Sequence, residues 1–227
     1  MNTRTHAEFS DFDSAGPVEL SIVLTLCNGA GAVHPMHQRL TAVMAAQGIR
    51  YELLFINDGS TDSTAGILST IAAEDPHTRT LSLTRHAGRE SALATGLARA
   101  TGQAVIIMDA DLCDPPEYIP QMLAAWRAGT DVVRMRPCRN TRRPMLARLG
   151  ARCLDHTLDA IGVAPLPENR IDFMLFNRKA VDALSLAIER KRDMARLFNW
   201  MGLKQTTIDY ERAPRANTWT PARRLAL

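Results

Sequence analysis

Apolar runs that alternate with amphipathic helical patterns constrain this chain more than any other feature. Strand-like runs at 20–26, 51–56, 80–83 and 104–108 are interleaved with helical periodicity at 33–47, 63–73 and 89–100. Parallel strands need a long crossover and a helix supplies it. The alternation therefore predicts right-handed β-α-β units: an α/β protein with a Rossmann-like, mostly parallel sheet and helices on both faces. A length of 227 residues with 46% hydrophobic content suits one such domain around one core.

Beyond Pro115-Pro116 the pattern is looser. A helix is expected up to residue 126, started by a proline at an early helical position. Further helices are expected at 144–161, 179–188 and 192–201, and strands at 131–133, 171–176 and 205–210. Residues 1–19 are polar and aperiodic, which predicts a flexible lead-in, followed by a domain at 20–211 and a basic tail at 212–227.

Ligands of such sheets bind beyond the carboxyl ends of the strands. Asn28, Asp58, Arg85 and Asp109 all fall at predicted strand ends, so they are expected to share one crevice. The run 104–108 stops on Asp109-Ala110-Asp111. That arrangement puts two carboxylates at a sheet edge, where hard oxygen ligands suit Mg2+ or Mn2+ against a diphosphate. Two acids after a strand also suit a solvated turn or a helix cap. A second acidic turn, Asn57-Asp58-Gly59-Ser60-Thr61-Asp62, follows the run 51–56 and favours the ligand reading.

Arg134, Arg136, Arg139, Arg142, Arg143, Arg148 and Arg152 lie in a stretch without Asp or Glu, a segment suited to anions. No stacking pattern or recognition module accompanies them, so no nucleic-acid role is expected. Cys27, Cys113, Cys138 and Cys153 form no C-x-x-C pair and follow no apolar secretory segment. Reduced thiols and a cytoplasmic location are the expectation. No apolar run reaches the roughly 18 residues of a membrane span.

Three motifs together, Asn57-Asp58-Gly59-Ser60-x-Asp62, Arg85-x-x-Gly88-x-x-x-Ala92-x-x-x-Gly96-Leu97 and Asp109-Ala110-Asp111-Leu112-x-Asp114-Pro115-Pro116-Glu117, resemble the family 2 inverting glycosyltransferases. Within that family the chain is similar to the polyprenyl-phosphate sugar transferases, and the likeness runs from residue 20 to about 210. The resemblance implies a GT-A fold, a nucleoside diphosphate sugar (UDP- or GDP-linked) as donor and a polyprenyl phosphate as acceptor. It also implies peripheral contact with the cytoplasmic face of the membrane.

By the same likeness, Asp58 contacts the base or ribose, with Asn28 and Arg85 beside the nucleotide, and Asp109 and Asp111 hold the Mg2+ or Mn2+. Asp111, Asp172, Arg136 and Arg139 are the implied catalytic residues. Arg142 and Arg143 are further phosphate ligands, and Asp172 lies on the acceptor side. Some positions depart from the family pattern: Gly29 stands where an acid is usual, Asn57 where Asp is common and Cys113 where a metal-ligating Gln is common. The arginines after 212 lack the usual Gly and Ser. Two other readings stay open, a hydroxyl acceptor with Asp172 as base, and a non-catalytic nucleotide-sugar binder.

Overall fold

The computed structural model describes residues 17–138, 172–189 and 201–212. Among these, seven strands form one sheet: β1 (Leu20–Leu26), β2 (Tyr51–Asn57), β3 (Thr78–Ser82), β4 (Ala104–Asp109), β5 (Val132–Pro137), β6 (Met174–Asn177) and β7 (Gln205–Tyr210). Their order is β3-β2-β1-β4-β6-β5-β7. The helices are α1 (Ala30–Ala45), α2 (Thr64–Glu74), α3 (Arg89–Leu97), α4 (Ile119–Arg127), entered through a 3-10 turn at Pro116–Tyr118, and α5 (Arg178–Glu189).

β1, β2 and β4 are mainly apolar and buried along almost their whole length because both sheet faces are covered. Ile22, Leu24 and Phe55 pack with Met36 and Leu40 of α1, Leu68 of α2 and Met122 of α4. On the opposite face, Val23, Ile56 and Ile107 pack with Leu93 of α3 and Leu184 of α5. Burying side chains of this size stabilises the fold by about 1.5–3 kcal/mol each. In α3, a Cβ on Gly96 would come 2.4 Å from Val23 Cγ1, so glycine lets this helix lie close on the sheet. That seating lays α3 on β1 and β2, so its start lies at their carboxyl ends.

β1, β2, β3 and β4 run parallel, whereas β6 is antiparallel to both β4 and β5. The sheet is thus mostly parallel, as expected, with one inverted strand. β5 runs on past the predicted 131–133 because β7 lies parallel beside it through Arg136↔Asp209 and Pro137↔Tyr210. α1 begins three residues before the predicted 33, since its exposed backbone donors are met from afar. The Ala30 amide donates to Asp62 Oδ2 (3.3 Å) and the Gly29 amide to Thr64 Oγ1 (3.0 Å). At the amino ends of the strands, Glu52 is 1% exposed and fully engaged by Ser21, Thr101 and Arg79, a structural clamp.

The expected lead-in up to residue 16, the helix at 144–161, residues 192–200 of the next helix and the tail beyond 212 lie outside the described residues. So do Arg139, Arg142 and Arg143. Among the described residues no helix is long and apolar enough to cross a membrane, and Cys27, Cys113 and Cys138 form no disulfide.

Candidate active site

A cleft of about 220 Å³ opens at the carboxyl ends of β1, β2 and β4, lined on its polar side by Asn28, Asp58, His86, Arg89, Asp109 and Asp111. Three of the four residues expected to share a crevice do so. Arg85 is the exception: its side chain is exposed and does not line the cleft.

Asn28 has the left-handed φ of 53°, which Asn tolerates better than most residues. Its Oδ1 accepts from the Thr61 amide at 2.8 Å, and its own amide donates to Ser60 Oγ at 2.8 Å. It therefore fastens the loop after β1 to the loop after β2.

Asp58 is 3% exposed. Its Oδ1 accepts from the Ala87 amide (2.7 Å) and its Oδ2 from the Gly88 amide (3.0 Å), and His86 Nδ1 lies 2.8 Å from Oδ2. The carboxylate thus anchors the loop that launches α3. Gly59 completes the clamp: its φ is 61°, and a Cβ there would stand 2.3 Å from Arg85 C and His86 N.

Asp109 ends β4 beside Thr25, whose Oγ1 donates to Asp109 Oδ1 at 3.3 Å. The same oxygen accepts from Arg89 Nε at 3.1 Å and lies 2.9 Å from Arg89 Nη2. Arg89 Nη1 meets Asp172 Oδ1 at 2.6 Å. One guanidinium thus ties the end of β4 to the residue just ahead of β6. The sequence pattern does not single out Arg89. Its place directly after Gly88 marks a helix start, and only the register that sets residue 172 beside Asp109 shows it as a bridge.

Asp111 Oδ1 accepts from the Cys113 amide at 3.0 Å, and Leu112 between them takes the left-handed φ of 63°, uncommon for a residue with a Cβ. Cys113 is buried and does not line the cleft, so its thiol is not offered to a ligand there. Beneath the turn Asp114 is wholly buried, accepting from the Tyr210 hydroxyl and lying 3.2 Å from Arg212 Nε. Arg136 is placed elsewhere: its fork grips Asp209 on the neighbouring strand at 2.6 and 3.1 Å, on the surface and away from the cleft lining.

Burial pushes the Asp109 carboxyl up to about 6, with the Arg89 guanidinium pulling down against it and Asp111 and Asp172 pushing further up. Burial also works against the charge on Arg89, but Asp109 and Asp172 outweigh it and hold that group above its ordinary value. Asp114 is raised by burial, although Tyr210 and Arg212 act the other way.

Among the described residues no group of three or more His, Cys, Asp or Glu side chains is arranged as a metal cage. Asp109 and Asp111 fit a different kind of site, in which two carboxylates hold a hard cation and phosphate and water oxygens complete its shell. The cleft beside them leaves space for those ligands.

Glucosyl-3-phosphoglycerate synthase from Mycobacterium tuberculosis, solved with Mn2+, uridine diphosphate and phosphoglyceric acid, matches with a TM-score of 0.58. It is 22% identical, and the match covers 89% of this chain and 72% of that one. The sheet and this neighbour share the GT-A fold. The family model described as glycosyl transferase family 2 matches residues 21–185, and the chain belongs to that family.

Among curated relatives, a prophage bactoprenol glucosyl transferase homolog of Escherichia coli is 34% identical over 198 residues, and the bactoprenol glucosyl transferase of Shigella phage SfV is 33% identical over the same length. An uncharacterized glycosyltransferase of Synechocystis is 34% identical. The three alignments each cover 87% of this chain, and they span 65%, 64% and 62% of the relatives' own lengths, just under two thirds.

Proposed function

We propose that this family 2 glycosyltransferase moves a sugar, with inversion, from a UDP- or GDP-sugar to a polyprenyl phosphate, using Mg2+ or Mn2+ held by Asp109 and Asp111. The observation that carries this reading is the cleft in which those two carboxylates stand beside Asn28 and Asp58 at the carboxyl ends of three parallel strands. The relatives named for bactoprenol support the acceptor. When bound, the cation neutralises charge on the departing nucleoside diphosphate.

A phosphate monoester is already anionic near neutral pH, so its oxygen needs no strong base to become a nucleophile. The chain's own work is then to bind, orient and exclude water. Asp58 and Asn28 fix the walls where the nucleoside lies. Arg139, Arg142 and Arg143, on sequence grounds, grip phosphate as bidentate forks. Peripheral contact with the inner face of the membrane belongs to this reading, and on sequence grounds the basic run beyond Arg212 is the segment suited to anionic lipid. One observation favours a second reading: Asp172 does not line the cleft, but it shares the cleft-lining Arg89 guanidinium with Asp109, and a base for a hydroxyl acceptor would be needed near there.

Transfer from a panel of UDP- and GDP-sugars, assayed with Mn2+ and with either a short polyprenyl phosphate or soluble sugars, tests both readings. Lipid-dependent turnover that Asp109→Asn abolishes is the expected result. Turnover on soluble hydroxyls alone would move the assignment to the second reading, and no donor binding at all would remove both.

A further inference from the structure

Arg89 is the first residue of α3 and follows Gly88, whose φ is 91°. Its guanidinium reaches two carboxylates carried by different parts of the sheet, Asp109 at the end of β4 and Asp172 ahead of β6. It lines the cleft and its side chain is 35% exposed, so solvent and ligands reach it. The oxygen that it holds, Asp109 Oδ1, belongs to the pair on which the proposed cation site depends.

Two cations cannot crowd one carboxylate oxygen without strong repulsion, and the second cation here carries two charges. A divalent ion settling on Asp109 and Asp111 would compete with the guanidinium for Asp109 and weaken that ion pair. The displaced fork stays inside a cleft where it would next meet a diphosphate, an anion whose oxygens match its two-pronged donor geometry. Resting on the proposed cation site, we propose that Arg89 is a resident counter-ion that a divalent cation displaces from Asp109 and that then binds the donor's diphosphate. The free protein keeps its carboxylates compensated, and cation and nucleotide are coupled through one side chain.

The test reads binding rather than turnover. Mn2+ affinity of the full chain without nucleotide is measured by the electron paramagnetic resonance of free Mn2+, and affinity for UDP and for GDP at saturating Mn2+ by calorimetry. Arg89→Gln is expected to tighten Mn2+ alone by about tenfold and to weaken the nucleoside diphosphate by about tenfold, the scale of one charge-assisted hydrogen-bonded contact. Opposite signs mark the exchange of partners. A residue that only props the carboxylates would lose affinity for both.

Arg89→Lys keeps one charge but cannot span both carboxylates. It is expected to shift both affinities in the same directions by less, and it carries the test if the glutamine variant fails to fold. Unchanged or weakened Mn2+ binding in these variants, while Asp109→Asn abolishes Mn2+ binding, overturns the counter-ion role and leaves the cation site standing. Unchanged nucleotide affinity overturns the transfer to diphosphate. A native chain that binds neither Mn2+ nor nucleotide takes down this inference together with the function on which it rests.

Discussion

The Tyr210 hydroxyl donates to the Asp114 carboxylate in the protein interior, joining the end of β7 to the turn that carries Asp111. Asp114 Oδ2 has no hydrogen-bond partner among the described residues, so Tyr210 and Arg212 together supply the carboxylate's compensation. Tyr210→Phe leaves the ring contacts with Tyr118 and Phe173 but removes one donor from a buried acid. A loss of about 1–3 kcal/mol in urea unfolding is expected. A variant as stable as the native chain would show that Arg212 alone suffices.

Asp109→Asn removes one charge from the proposed cation site while Arg89 retains Asp172 as a partner. The fold is expected to persist, with an unfolding midpoint within a few degrees of native, because the substitution is isosteric and lowers a desolvated charge. Donor turnover with Mn2+ should fall by at least about a hundredfold, the scale of losing a charge-stabilising group in a site. Circular dichroism melts alongside a nucleoside diphosphate release assay measure the two effects separately.

The sheet is legible in the sequence because β1, β2 and β4 are apolar runs punctuated by helices, and their limits match the sequence pattern to within a residue. Asp109, Asp111, Asp58 and Asn28 are legible as strand-end residues for the same reason. What escapes depends on long-range partners. The inverted strand β6 has no local sign of its direction, and α1 starts early because Asp62 and Thr64, more than 30 residues on, receive its backbone donors. Arg89 escapes because a bridge between residues 109 and 172 exists only once β6 lies beside β4. Arg136 looks like a phosphate ligand in the linear run of arginines. The β5–β7 register sets Asp209 beside it, a partner the linear run does not reveal.

Asp75 links acid stability to named contacts. Burial pushes its carboxyl up, and hydrogen bonds from His37, Thr78 and the His77 amide more than offset this, holding it below the ordinary carboxylate value. The folded state therefore binds this proton less readily than the unfolded chain. The stabilisation is present above about pH 4 and is lost as pH falls through the lowered native value. Asp75→Asn is expected to be less stable than native at pH 7, with the difference shrinking toward pH 3. Urea denaturation at a series of pH values reads that convergence, and a constant gap would assign the loss to geometry alone.

Gly59 and Asp58 act on the same loop, so they should fail in the same way. The methyl group that Gly59→Ala adds would need a left-handed backbone and would strike the carbonyl carbon of Arg85 and the nitrogen of His86, neither of which is a flexible tip. Loop 85–88 would have to withdraw, carrying Ala87 and Gly88 off the Asp58 carboxylate. Asp58→Asn reaches the same end by replacing an oxygen acceptor with an NH2 that faces a backbone N–H. Each substitution is expected to cost about 1–3 kcal/mol. The double variant should cost clearly less than the two losses added, because both break one set of bonds. If Asp58 also contacts the nucleoside, Asp58→Asn weakens nucleotide binding beyond what Gly59→Ala does at matched stability. Equal binding losses would confine its role to anchoring the start of α3 and, through it, Arg89.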